Sequence, residues 1–273
     1  MSRFARRTAV VTGAASGIGR ALAWELAAHG ATLAISDVDE AGLAETAERA
    51  RQMAATVRCD RLDVTDRAAV LAYADKVATE FGTVNIIINN AGIAFTGDIA
   101  DMTFEQIERV MDVDFWGVVN GTKAFLPHLI ASGDGTLVNV SSVFGLLAAP
   151  SQGAYIAAKF AVRGFTEALR QEMLLAGHPV RVTCVLPGGV KTPIARHAGA
   201  VPARDAAALG VFFDRRLART SPERAARTII RAAERGRARV LVGSDARMLD
   251  VLVRLAGPSY QRVGVALAKR LTR

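Results

Sequence analysis

Short apolar runs rich in β-branched residues alternate along the chain with longer stretches in which apolar residues recur every three or four positions. The first pattern is typical of buried strands and the second of amphipathic helices. We predict strands at Thr8–Thr12, Thr32–Asp37, Thr56–Asp60, Val84–Asn89, Thr136–Ser141, Val180–Leu186 and Arg239–Val242. We predict helices at about residues 17–29, 40–53, 66–81, 103–131, 153–176 and 222–235.

This alternation predicts the fold class. Strands separated by single helices form βαβ units, which build a parallel sheet with helices on both faces. The run Ile86-Ile87-Ile88 has no polar position, as expected of a central strand that is covered on both sides. We therefore predict an α/β protein with a doubly wound parallel sheet of about seven strands. No linker rich in Pro or Ser divides residues 1–245, which we predict to form one domain.

Two segments interrupt the pattern. Residues 190–220 form a long insertion after the sixth strand, and such insertions at the carboxyl ends of strands are where open α/β sheets bind ligands, so we predict a substrate lid. Residues 246–273 carry apolar side chains at helical spacing on both sides of Pro258, which predicts two short amphipathic helices rather than an independent domain. This extension could cover a neighbouring subunit, close the substrate pocket, or lie on anionic lipid.

Composition and charge narrow the function classes. The 273 residues are 51% hydrophobic and 22% charged, which excludes a mainly disordered chain. Residues 215–273 hold 15 Lys and Arg against 4 Asp and Glu, whereas the rest holds 19 against 22, so the +8 net charge is concentrated in the tail. A basic tail permits peripheral contact with a membrane. Nucleic-acid binding is not expected, because no aromatic residues are interleaved with the arginines.

The cysteines and histidines indicate no metal site and no disulfide framework. Cys59 and Cys184 both lie in β-branched runs, and we predict that both are core thiols. The start of the chain shows no signal peptide, so a cytoplasmic location is the default expectation. The longest uncharged stretch, Gly135–Ala158, contains Asn, Ser, Pro and Gln, and we predict a strand, a loop and a helix start there, not a membrane span.

A glycine-rich turn, Thr12-Gly13-Ala14-Ala15-Ser16-Gly17-Ile18-Gly19, joins the first strand to the first helix. Its glycines allow a tight turn and a close approach of the backbone to a pyrophosphate. The helix N-terminus then presents free N–H groups and the positive end of its dipole. We therefore predict a dinucleotide site that includes Gly13, Ser16, Gly17, Ile18 and Gly19.

Asp37, at the end of the second strand, bears on the choice of dinucleotide. A carboxylate at this position can accept hydrogen bonds from both ribose hydroxyls of adenosine and repels a 2′-phosphate. Neither Ser16 nor Val38 supplies a cation that would hold such a phosphate. The sequence therefore favours NAD(H) over NADP(H).

The spacing Gly-x-x-x-Gly-x-Gly resembles that of the short-chain dehydrogenase/reductase family, and further motifs of that family follow in order. They are Asp63-Val64, Asn89-Asn90-Ala91-Gly92, Tyr155-x-x-x-Lys159 and Pro187-Gly188-Gly189-Val190-Lys191-Thr192. The resemblance implies that Asp63 and Val64 contact the adenine and that Val190 and Thr192 contact the nicotinamide carboxamide. It also implies that the coenzyme site includes Asn90, Ala91, Gly92, Pro187 and Gly188. A single Rossmann-type fold and a homo-oligomer, either dimer or tetramer, are expected on the same ground.

The chemistry is predicted to lie at Tyr155, Lys159 and Ser142. Tyr155 and Lys159 are i, i+4 neighbours on one helix face. A nearby ammonium lowers the pKa of a phenol from its ordinary value near 10, so that Tyr155 can exchange a proton with a substrate oxygen. By the resemblance, Lys159 also binds the nicotinamide ribose. Ser142 ends the fifth strand, where its hydroxyl can hydrogen-bond the reacting carbonyl, whereas Ser141 is off by one residue.

These residues predict an NAD(P)-dependent oxidoreductase that transfers a hydride between nicotinamide and the alcohol or carbonyl carbon of a small to medium, largely apolar substrate. The alternatives are a catalytically idle NAD-binding sensor and a membrane-recruited protein on the same fold. One departure bears on activity, because Asp114 stands where the family usually has an Asn. A carboxylate close to Tyr155 would oppose ionisation of the phenol and partly offset Lys159.

Overall fold

The computed structural model describes residues 3–53, 55–202, 211 and 218–271, with the backbone alone for Val263 and residues 267–271. Within these residues the main sheet has seven parallel strands in the order β3-β2-β1-β4-β6-β7-β9. The predicted doubly wound sheet is confirmed. Its strands are β1 (Thr8–Thr12), β2 (Thr32–Asp37), β3 (Val57–Arg61), β4 (Ile86–Asn89), β6 (Gly135–Val140), β7 (Val180–Pro187) and β9 (Arg239–Val242).

Helices cover both faces of this sheet. One apolar core lies between the sheet and α1 (Gly17–Ala28), α2 (Glu40–Gln52) and α7 (Pro222–Glu234). A second core lies on the opposite face, under α3 (Arg67–Phe81), α5 (Gly117–Ala131) and α6 (Gly153–Leu175). β4 is buried along its whole length between the two cores, as its uninterrupted apolar run predicts.

The helix that we predict over residues 103–131 is interrupted in the structure. It consists of α4 (Phe104–Met111), a π-helical segment (Asp112–Trp116) and α5. Thr103 and Gln106 form a reciprocal capping box at the start of α4, which explains why the helix begins there. π-helical turns are rare and often occur at functional sites, and this one contains Asp114.

A small second sheet ties the start of the predicted lid to the body of the protein. β5 (Phe95–Thr96) pairs in parallel with β8 (Gly199–Ala200). Both strands are absent from our sequence prediction. The remaining lid residues 203–210 and 212–217, which include two of the three residues of its apolar Val211-Phe212-Phe213 run, lie outside the described residues.

The predicted C-terminal helices are confirmed as α8 (Ser244–Ala256) and α9 (Tyr260–Leu271), separated by a short 3₁₀ turn. Leu249 packs against an apolar cluster formed by Val143, Leu146 and their neighbours. The Tyr260 hydroxyl accepts a hydrogen bond from the backbone N–H of Ala148 at 2.9 Å. α8 also exposes four apolar side chains, Met248, Val251, Leu252 and Leu255. The extension therefore lies against the loop that follows Ser142.

Two further predictions concern the uncharged stretch Gly135–Ala158 and the two cysteines. The uncharged stretch is a strand, a loop and a helix start, as predicted, and no helix among the described residues is both long and apolar enough to cross a membrane. Cys184 is buried, but the prediction of a core thiol is wrong for Cys59, which is exposed. β3 is the edge strand of the sheet, so its side chains are less fully covered than those of central strands.

Candidate active site

The glycine turn is fastened to the loop that follows β4. The Asn90 side-chain amide donates to the carbonyl oxygens of Thr12 and Gly13 at 3.0 and 3.1 Å. The Thr12 hydroxyl accepts the backbone N–H groups of Asn90 and Ala91 at 3.0 and 3.1 Å. A Cβ atom at Gly19 would overlap the Gly13 carbonyl oxygen, so this close approach requires glycine. Two of the predicted coenzyme segments therefore form one rigid unit.

Asp37 lies beside this turn. Its Oδ2 atom accepts the backbone N–H of Ala15 at 2.9 Å, and its Oδ1 atom accepts that of Asp39 at 3.1 Å. Asp39, and not Asp37, caps α2 through the N–H of Gly42. The carboxylate of Asp37 is thus fixed at the carboxyl end of β2 and remains partly exposed there.

Asp63 and Val64 follow β3 at the same edge of the sheet. The Oδ1 atom of Asp63 accepts the N–H and the hydroxyl of Thr65 at 2.9 and 2.8 Å. Burial raises the pKa of Asp63, but these two hydrogen bonds together with Arg109 and Arg61 outweigh it, so the pKa lies below its usual value. The carbonyl oxygen of Val64 accepts the Asn120 side chain at 2.9 Å.

Tyr155, Lys159 and Ser142 converge near the carboxyl ends of β4 and β6. Tyr155 is in the first turn of α6, and the Nζ atom of Lys159 lies 5.3 Å from the centre of its ring. Ser142 follows β6 and accepts the N–H of Phe144 at 3.1 Å, and its hydroxyl is close enough to Tyr155 to lower the pKa of the phenol. Ser141 faces the other way and donates to the carbonyl oxygen of Lys159 at 2.7 Å.

Asp114 is part of this cluster and is completely buried. Its Oδ2 atom lies 3.0 Å from the Nζ atom of Lys159, and its Oδ1 atom accepts the N–H of Ile93 at 2.7 Å. The Lys159 ammonium also donates to the carbonyl oxygen of Val140 at 3.4 Å. The chain thus holds a buried ion pair directly beneath Tyr155.

The electrostatics of Tyr155 differ from the sequence expectation. Burial raises the pKa of Tyr155, Lys159 lowers it, Asp114 raises it and the Ser142 hydroxyl lowers it. Lys159 thus acts in the predicted direction, but burial outweighs it, so the pKa of Tyr155 lies above its ordinary value. Burial disfavours the ammonium of Lys159, but Asp114 more than compensates and raises the pKa of Lys159.

The loop from Pro187 to Thr192 closes the site on the side of β7. Val190 is buried and forms a parallel bridge with Thr220. Thr192 is also buried, and its side chain lies against Gly17 of the glycine turn. The predicted nicotinamide loop is therefore next to the predicted pyrophosphate loop.

Residues 7–201 match the family model described as short chain dehydrogenase. The chain belongs to the short-chain dehydrogenase/reductase family. It is 60% identical over 266 residues, 97% of this chain and 96% of the relative, to SadH of Mycobacterium tuberculosis, which is named as an oxidoreductase. It is 39% identical, over 70% of this chain and 76% of the relative, to cis-4-hydroxycyclohexanecarboxylate dehydrogenase of Sinomonas cyclohexanicum.

A solved structure extends this likeness to the whole fold. A short chain dehydrogenase/reductase from Burkholderia phymatum, crystallised in complex with NAD, matches with a TM-score of 0.88 and 32% identity. The match covers 96% of this chain and 97% of that chain. The protein is therefore an oxidoreductase of this family with a Rossmann-type, nicotinamide-coenzyme fold.

Beneath the site, this member of the short-chain dehydrogenase/reductase family has a polar network that our sequence analysis missed. Asn89 donates to Asn139 at 2.8 Å and to Thr122 at 3.2 Å, and Asn139 donates to Thr166 at 3.0 Å. All four side chains are buried. The available signal was Asn139 itself, the single amide within the buried strand β6, because a buried amide needs partners on the neighbouring elements.

Proposed function

We propose that this protein is an NAD(H)-preferring alcohol dehydrogenase or ketoreductase in which Tyr155, Lys159 and Ser142 carry the proton chemistry. The observation that carries this proposal is their convergence beside the coenzyme edge of the sheet. Ser142 and Lys159 both lower the pKa of the Tyr155 phenol, and the ammonium of Lys159 lies over its ring. Asp114 keeps that ammonium charged although it is almost completely buried.

The residues present fit a nicotinamide dinucleotide. The turn from Gly13 to Gly19 opens directly onto the first turn of α1, where no acidic side chain would repel a pyrophosphate. Asp37 is held beside that turn and would bind the adenosine ribose. Asp63 and Val64 would line the adenine. When bound, the nicotinamide supplies the hydride acceptor for alcohol oxidation and the hydride donor for carbonyl reduction.

The chain's own residues move the proton. In oxidation, the Tyr155 phenolate accepts the proton of the substrate hydroxyl while the carbon–hydrogen electron pair leaves as hydride; in reduction, the phenol returns a proton to the carbonyl oxygen. The Ser142 hydroxyl hydrogen-bonds the same oxygen as its charge changes. Lys159 favours the phenolate electrostatically, since an ammonium stabilises a neighbouring anion.

The surroundings of Tyr155 favour an apolar substrate. The tyrosine ring packs at the edge of an apolar cluster, and the Phe144 ring stands edge-on to it with centroids 6.2 Å apart. The cluster also includes Ile93, Phe95, Met102, Ala154 and Val201. Phe95 and Val201 belong to or adjoin the small β5–β8 sheet, so the start of the lid contributes to this wall. We propose a small or medium secondary alcohol, linear or cyclic, as the substrate class.

A spectroscopic screen tests the proposed reaction. Linear and cyclic secondary alcohols are incubated with the full chain and NAD⁺, and the appearance of the reduced-nicotinamide absorbance band is followed. Turnover of any of them, together with its loss in Tyr155→Phe, supports a dehydrogenase. Tight NADH binding with no turnover of either alcohols or ketones would instead favour the idle sensor.

The coenzyme preference depends on the charge of Asp37. We expect Asp37→Asn to lower the ratio of kcat/KM for NAD⁺ to kcat/KM for NADP⁺ by about tenfold, equivalent to about 1.4 kcal/mol. The amide keeps an acceptor for the N–H of Ala15 but does not repel a 2′-phosphate. Steady-state kinetics with both coenzymes measure the ratio. Asp39→Asn, which changes the neighbouring cap, is the control, and an equal change in both variants would contradict the assignment.

An uncharged stripe on α6 supports the proposed homo-oligomer. Its exposed positions over three turns are Ala157, Phe160, Gly164 and Ala168. Such a row of small and apolar residues lets a helix of a second copy approach closely. Since a side chain at Gly164 would meet open space in one chain, Gly164→Arg should fold normally but yield monomers in light scattering. Gln52→Arg on α2 should leave the oligomer intact, and a monomeric wild type would contradict this proposal.

A further inference from the structure

Asp245, in the first turn of α8, contacts the predicted nicotinamide loop although it lies outside all of the family motifs described above. Its Oδ2 atom accepts the backbone N–H of Gly189 at 2.6 Å. Its Oδ1 atom is buried at the same junction. A carboxylate therefore links the C-terminal extension to the loop from Pro187 to Thr192.

The backbone around Asp245 is shaped to admit this carboxylate. A Cβ atom at Gly188 would overlap the Oδ2 atom of Asp245, and one at Gly243 would overlap its Oδ1 atom. Gly243 also has a φ angle of +101°, which side chains other than glycine rarely adopt. The close approach thus depends on glycine at both ends of the contact.

The neighbouring peptide groups of this loop are held as well. The carbonyl oxygen of Gly189 accepts the N–H groups of Arg219 and Thr220, both at 3.1 Å. The N–H of Gly188 donates to the carbonyl oxygen of Val242 at 2.9 Å. The loop is therefore clamped between the end of the lid, the strand β9 and the side chain of Asp245. The lid and β9 hold the loop through backbone groups, whereas Asp245 holds it through its side chain. A substitution at Asp245 can therefore remove this contact without changing the backbone.

We propose that Asp245 is a positioning residue that fixes the loop carrying Val190 and Thr192 against the nicotinamide half of the coenzyme. This inference rests on the proposed function, because it takes the Pro187–Thr192 loop as the nicotinamide side of the site. The geometry gives Asp245 no contact with the glycine turn or with Asp37. Its removal therefore affects the nicotinamide half of the site and spares the adenosine half.

Binding of two ligands separates the halves. NADH occupies both, whereas ADP-ribose keeps both riboses and the pyrophosphate but lacks the nicotinamide base that Val190 and Thr192 would contact. We expect Asp245→Ala to weaken NADH binding by about tenfold, since a hydrogen bond to a charged group contributes roughly this much. ADP-ribose should bind as it does to the wild type. Isothermal titration of each full-length variant with each ligand gives the affinities.

Two variants serve as controls. Asp245→Asn keeps an oxygen acceptor for the N–H of Gly189 and should recover most of the NADH affinity. Asp250 lies on the same helix, and its carboxylate pairs with Arg254 at 3.0 Å. Asp250→Ala should therefore change the affinity for neither ligand. An Asp245→Ala protein that binds NADH as tightly as the wild type, or that weakens both ligands equally, would overturn the proposal.

A measurement on the wild type covers the case in which Asp245→Ala does not fold. In hydrogen exchange followed by mass spectrometry, peptides spanning residues 187–192 and 244–250 should gain protection with NADH and not with ADP-ribose. Equal protection by both ligands, or none, would contradict the role of Asp245. If the wild type binds neither ligand, it is the proposed function itself that fails.

Discussion

Replacing Tyr155 with Phe is expected to lower kcat/KM for alcohol oxidation by about 10² to 10⁴, the range that general acid–base catalysis contributes. The substitution removes one oxygen atom and leaves a ring of the same shape against Phe144 and the neighbouring apolar cluster. Without the phenol, no side chain at this position can take the proton from the substrate hydroxyl. The ion pair beneath the ring does not include the removed atom.

The measurement pairs steady-state kinetics with a binding control. The Kd of NADH in Tyr155→Phe should stay close to that of the wild type, because the glycine turn and Asp37 are unchanged. Tyr73→Phe removes the same atom from a buried tyrosine of α3, which belongs to a different apolar core from Tyr155, and should keep its turnover. If Tyr155→Phe turned over alcohols at nearly the wild-type rate, the proton would have to reach another group and our assignment would be wrong.

Local patterns were sufficient to predict most of the main sheet. β1, β2 and β9 begin and end at the predicted residues, because each is a run of β-branched or apolar residues bounded by turn or polar residues. β5 and β8 could not be predicted in this way. Each has two residues, and their pairing joins Phe95 to Gly199 across more than a hundred positions, so only the tertiary structure defines them.

The candidate site shows the same division. The order of the motifs predicted that Tyr155, Lys159 and Ser142 lie at one edge of the sheet, because residues that follow neighbouring parallel strands share that edge. The structure places the three side chains close together there. The periodicity of apolar residues did not predict the π-helical turn. The contacts of Asp114 within it, with the N–H of Ile93 and the Nζ atom of Lys159, exist only in the tertiary structure. The direction of the Tyr155 pKa shift also depends on burial, which spacing along a helix does not report.

The buried pair of Lys159 and Asp114 leads to the second large effect. Lys159→Met should abolish turnover and also reduce the free energy of unfolding at pH 8 by about 3–5 kcal/mol, because it leaves a buried carboxylate without its cation. The double variant Lys159→Met, Asp114→Asn should regain most of that stability, since the remaining groups are neutral, but it should stay inactive. The double variant would then be more stable than Lys159→Met but equally inactive, so the effect on stability would be separated from the effect on activity.

The pH dependence of Lys159→Met provides a check on its cause. An unfolded Asp has a pKa of about 3.9. Burial raises the pKa of Asp114 in the folded chain, so its contribution to stability is present below that value and is lost as pH rises through the raised pKa. Urea unfolding should therefore show a larger deficit relative to the double variant at pH 8 than at pH 5. An equal deficit at both values would point to lost packing instead of an unpaired charge.

The single variant Asp114→Asn should change the pH profile of alcohol oxidation and not its maximal rate. We expect this variant to stay active, because the Oδ1 atom of an amide can still accept the N–H of Ile93. Burial and Asp114 both raise the pKa of Tyr155 while Lys159 lowers it, so removing the carboxylate lowers that pKa as long as Lys159 keeps its charge. Oxidation requires the phenolate, and its pH profile should therefore move to lower pH. A folded Asn variant without activity would show that the carboxylate takes part in the reaction and does more than hold the ammonium of Lys159.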